Sequence, residues 1–61
     1  MPRNADEAMA EATAAAQAGK RDLAFELISE ARDSSGGRLP ARLSREERRI
    51  RALLSGAPAG Q

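Results

Sequence analysis

Up to Gly19, the only large apolar side chain in a helix-length segment is Met9, and alanines stand around it at Ala5, Ala8, Ala12, Ala15 and Ala16. Directly beyond the glycine come Leu23, Phe25, Leu27 and Ile28. Alanine buried on alanine removes little apolar surface from water, so the large residues must lie over the small ones, on this chain or another. An alanine face also lets two helix axes approach closely. A tight break at Gly19 makes the following segment the natural partner. The expected core unit is an antiparallel helical hairpin.

Local signals divide the chain into three helices. Helix one, about 5–18, starts after Asn4, an N-cap residue with Glu7 in the first turn, and Gly19 closes it. Helix two, about 21–34, stops at Gly36 and Gly37. Its apolar arc of Leu23, Ala24, Leu27, Ile28 and Ala31, with Phe25 at the edge, is wider than one neighbour needs. It is therefore expected to contact both other helices. Residues 36–43 read as a linker in which Pro40 opposes helix continuation and Leu39 and Leu43 serve as anchors. Helix three, about 45–55, carries a capping-box pattern from Ser44 to Glu47, a closing Gly56 and a following Pro58. Ile50, Leu53 and Leu54 form its apolar stripe, and the tail 57–61 is expected to fray. Strand-like alternation is absent, so the sequence predicts a single small all-α domain of three helices.

The hairpin resembles a tetratricopeptide repeat over residues 5–36. Aligned on Gly19, the small crossing positions of that repeat fall on Ala12, Ala24 and Ala31, and the bulky one on Ile28. The resemblance implies hairpin geometry and a leaning toward protein binding; it transfers no ligand-contacting residue. A single repeat does not build a solenoid, since about three are needed to bury a continuous core.

Energetics point to a partner. Of 61 residues, 25 are apolar but 14 of these are alanine, which leaves eleven larger ones. Burying such a side chain is worth roughly 1.5–3 kcal/mol, whereas ordering a residue costs about 1.5 kcal/mol. A marginal monomer follows, and a homo-oligomer is expected through the apolar faces of helices two and three. The candidate contact residues are Leu23, Phe25, Leu27, Ile28, Ile50, Leu53 and Leu54.

A net charge of +1 conceals a division. Residues 1–37 carry four basic and seven acidic side chains, while residues 38–61 carry six arginines and two glutamates. Arg45, Arg48, Arg49 and Arg51 lie opposite the apolar stripe of helix three, with Glu47–Arg51 as the one well-oriented opposite pair. Asp22, Glu26, Glu30 and Asp33 line one side of helix two. Both stripes are expected to face outward, where solvation is the plain reading and pairing with another molecule the functional one. An acidic protein, or this chain itself, fits the arginines better than nucleic acid does. No aromatic residue is interleaved with them for base stacking. Residues 43–56 also resemble the opening helix of helix-turn-helix domains, but no recognition helix is expected after it.

Catalysis finds no support. There is no His to activate any of the serines and no Cys to act as nucleophile, thiolate ligand or staple. Adjacent acids such as Asp6/Glu7 and Glu46/Glu47 diverge on a helix and suit first-turn dipole roles. No cofactor, metal or small-molecule substrate is expected. No signal-peptide core or bilayer-length apolar run is present, so a cytoplasmic protein without membrane association is the expectation. Nine arginines against one lysine, with abundant alanine, suit a small protein of a GC-rich bacterial or phage genome. The sequence thus predicts an adaptor or regulator that binds a protein partner, with a nucleic-acid-associated factor as the alternative.

Overall fold

Three helices account for 78% of the described residues, and none of those residues lies in a strand. The structure is a computed structural model that describes residues 3–56. α1 spans Ala5–Gln17, α2 Arg21–Ser34 and α3 Ala41–Ser55. The expected frayed tail, 57–61, lies outside the described residues.

α1 starts as its sequence dictates. The Asn4 side chain accepts from the Glu7 amide at 2.8 Å, and the Glu7 carboxylate accepts from the Asn4 amide at 3.0 Å. This reciprocal box satisfies two amides that helix geometry leaves without partners. The other end closes just as tightly. The Lys20 amide donates to the Ala15 carbonyl at 2.9 Å and the Gly19 amide to the Ala16 carbonyl at 3.0 Å. Gly19 has φ +78°, a left-handed conformation that costs an L side chain roughly 1–2 kcal/mol. The chain therefore reverses within three residues, and α2 returns along α1. Gly36 repeats the device at the end of α2, where the Gly37 amide reaches the Arg32 carbonyl at 2.8 Å.

Twelve residues form the core, and half of them are alanines. Ala12, Ala24 and Ala31, the small positions expected at the crossing, are fully buried, and Ile28 lies with them at 2% exposure. Met9, Ile28 and Ile50 are the largest side chains wholly removed from water. One comes from each helix, so all three elements share one core.

α2 contacts both other helices, as its broad arc implies, but unequally: it packs along α1 and touches α3 only slightly, and α3 rests mainly on α1. The reason is side-chain size: the alanine faces of α1 admit a neighbour closely on two sides. One expectation is corrected: α3 starts four residues earlier than its local signals suggest. Pro40, not Ser44, is the N-cap, and its carbonyl accepts from the Leu43 and Ser44 amides at 3.0 and 2.9 Å. Proline suits a helix entrance because its fixed φ is compatible and no amide is required there. The early start turns Leu43 onto the face of Ile50 and buries it to 5% exposure. Burial of Leu43 outweighs a local cap at Ser44, whose hydroxyl instead donates to the Leu39 carbonyl at 3.5 Å.

Candidate interaction surface

Several charged side chains on the outside of this bundle are tied to one another across the helices. Arg3 lies 3.3 Å from Glu11 of α1 and 3.3 Å from Glu30 of α2, bridging the hairpin at its open end. Arg42 of α3 reaches both carboxylate oxygens of Asp6 at 2.9 Å. Glu47 is the pivot between α2 and α3. Its carboxylate, 14% exposed, accepts from Arg32 at 3.0 and 2.9 Å and from Arg51 Nε at 2.9 Å. Burial works to raise its pKa, but the hydrogen bonds and charges of Arg51 and Arg32 outweigh that and hold it below the ordinary carboxylate value. Arg51 also stacks over the Phe25 ring, 5.4 Å from its centroid. Arg21 donates to the Leu54 carbonyl at 2.9 Å, completing the line of contact between α2 and the end of α3.

The seven apolar candidates are thereby separated. Leu27, Ile28 and Ile50 are at 5%, 2% and 2% exposure, inside the chain's own core. This corrects Ile28 and Ile50 from partner contacts to core residues, while Leu27 also lines a groove between α1 and α2. Phe25 and Leu54 are half-buried and packed against that core, with Arg51 over the Phe25 ring. Leu23 and Leu53, at 43% and 51%, are the exposed large hydrophobics. The arginines divide in the same way. Arg51 is held by Glu47 and Phe25, while Arg49 makes only a 3.7 Å approach to Glu46. Arg45 and Arg48 are exposed and make no ion pair among the described residues. On α2, Glu30 is taken by Arg3, whereas Asp22, Glu26 and Asp33 are exposed without an ion pair among the described residues. Arg51 thus makes the Glu47 pair that its spacing on α3 leads one to expect, and Glu30 is paired within the chain instead of facing outward unpartnered.

One surface was not visible in the sequence. On the side of the hairpin away from α3, a shallow groove of about 410 Å³ runs between α1 and α2. Ala14, Ala15, Ala18, Leu23 and Leu27 supply its apolar walls, with Arg3, Glu11 and Lys20 at its margins. No residue of α3 enters it. α3 instead meets α1 through Asp6, Met9 and Thr13, which lie on the opposite side of that helix. Ala14 and Ala18 read as mere helix formers in the sequence, since nothing local shows that α2 leaves their side of α1 uncovered. The seam between α1 and α3 holds a second feature. Oε1 of Glu46 is buried there without a hydrogen-bond partner among the described residues.

None of the helices described is long and apolar enough to cross a membrane. Comparison of the chain with protein-family models, with curated proteins and with solved structures finds no match.

Proposed function

We propose that this protein is a small non-enzymatic interaction module, an adaptor or regulator that binds a protein through its helical surfaces. The observation that carries the reading is the exposure of Leu23 beside an alanine-walled groove, in a chain whose other large α2 side chains are buried or half-buried. An apolar patch edged by charge is the usual form of a protein contact. The tetratricopeptide-like hairpin leans the same way. A pull-down from the source cell tests the proposal with wild type and Leu23→Asp as paired baits. Because Leu23 is already half in water, the variant should keep its helical circular dichroism. The expected result is at least one protein retained by wild type and lost from Leu23→Asp. Identical retention by the two baits would count against this groove as the binding surface.

Nucleic acid is the less supported partner, since Arg51 is engaged by Glu47 and only part of the arginine face is free. Titration with duplex and single-stranded nucleic acid at several salt concentrations separates the readings. Phosphate binding predicts affinity that falls steeply with salt.

A further inference from the structure

Leu53 and Leu23, the two exposed large hydrophobics, sit on two different surfaces of the same small body. Leu23 belongs to the groove between α1 and α2, whose lining contains nothing from α3. Leu53 flanks the other side of the molecule, beside Gln17 and Arg49 at the seam of α1 and α3. Arg45, Arg49 and Leu53 follow one another at four-residue steps and so form one stripe along α3. Arg45 has no ion pair among the described residues, and the Arg49 side chain is 77% exposed. The groove's margin carries Arg3 and Lys20 beside Glu11, and the adjoining turns of α2 add Glu26 and Glu30, opposite in sign to this stripe.

Resting on the interaction-module reading, we infer that the groove's occupant is α3 of a second copy of this chain, docked antiparallel to α2 in a head-to-tail contact. The spacing of the charges carries the assignment. With Leu53 of one copy placed over Leu23 of the next, Arg49 and Arg45 lie four and eight residues away along α3, about 6 and 12 Å. Glu26 and Glu30 lie three and seven residues beyond Leu23 along α2, about 4.5 and 10.5 Å. Each arginine thus meets a glutamate within roughly one helical step. Glu26 is free for this pairing, and Glu30 exchanges its exposed contact with Arg3. In the other direction the same register brings the end of α3 toward Lys20, three residues before Leu23. The carbonyls at a helix C-terminus carry partial negative charge, and Lys20 makes no ion pair among the described residues. Leucine, two arginines and a helix end therefore match in one alignment. Because groove and stripe are separate, docking leaves one of each unsatisfied, and the contact propagates into a ring or an open chain of copies.

Sedimentation velocity of the full chain over a range of concentrations, at low and high salt, tests this directly. The expected result is concentration-dependent growth beyond a dimer, weakened by salt. Glu26→Arg and Arg49→Glu should each weaken association by about tenfold or more, since like charges then meet across the contact. Mixing the two variants in equal amounts should restore it, because every junction then pairs opposite charges again. Arg45→Glu provides a second variant on α3, and helical circular dichroism verifies that each remains folded. Folded wild type that stays monomeric throughout, or growth that ignores these substitutions, overturns the assembly. Either result leaves the interaction reading to its own test, the dependence of a captured protein on Leu23.

Discussion

Glu47 is the acidic residue that ties α3 to α2. It draws Arg32 from α2 and Arg51 from its own helix onto one carboxylate, and Arg51 in turn covers Phe25. Charge-assisted hydrogen bonds of this kind are about twice as strong as neutral ones. The arginines are half-exposed, which moderates the effect. Replacing Glu47 by Gln is expected to cost about 1–2 kcal/mol at neutral pH, measured by urea denaturation. The pH dependence has a definite sign. A carboxylate held below its ordinary pKa in the folded state stabilises fully above the unfolded value, and that stabilisation is lost as pH falls through the lowered folded value. Wild type should therefore lose its advantage over Glu47→Gln on the acid side of the ordinary carboxylate range, and keep it above. An advantage unchanged down to the most acidic pH would show that Glu47 acts through packing alone.

Element ends give a comparison between two caps. Asn4 accepts the Glu7 amide, whereas Ser44 lies inside α3 and caps nothing. Asn4→Ala is expected to lower stability by about 1 kcal/mol, and Ser44→Ala by much less. Thermal denaturation of the two variants side by side decides it, and equal losses would restore Ser44 as a helix start. This contrast marks how much of the architecture was legible beforehand. The bounds of α2, the turn at Gly19 and the start of α1 follow from glycine conformation, propensity and capping, all of which act within a few residues. The start of α3 did not follow, because burial of Leu43 against α1 depends on residues more than twenty positions away. The candidate site was legible only in part. Helical spacing selects an apolar arc on α2, but it does not say which of its members the folded core will bury. Leu27 and Ile28 thus looked available when they are core, and the groove beside Leu23 could not be seen. Similarly, Arg3–Glu30 and Arg32–Glu47 join residues whose proximity exists only once the hairpin has closed.

At the scale of the whole molecule, the three helices are unequally secured. α1 and α2 pack along their lengths, while α3 rests on α1 and touches α2 only slightly. Its apolar anchors are Leu43 and Ile50, with Leu39 just ahead of it. Further attachments are Leu54, partly buried against the core, and the polar contacts of Arg42, Glu47, Arg51 and Arg21. Regions with few buried contacts open at lower free energy than the global transition. Amide hydrogen exchange on dilute protein is therefore expected to show lower protection in α3 than at the α1–α2 crossing, around Ala12 and Ala24. Ile50→Ala, a core truncation of a type that costs about 2–5 kcal/mol, should widen that difference if the hairpin retains any structure. Self-assembly would change the pattern in a specific way, because a docked α3 is covered on its outer side as well. Protection in α3 should then rise with protein concentration, and it should rise less in Arg49→Glu. Equal protection across all three helices at every concentration would mean that they open as one unit, with α3 held as firmly as the hairpin itself.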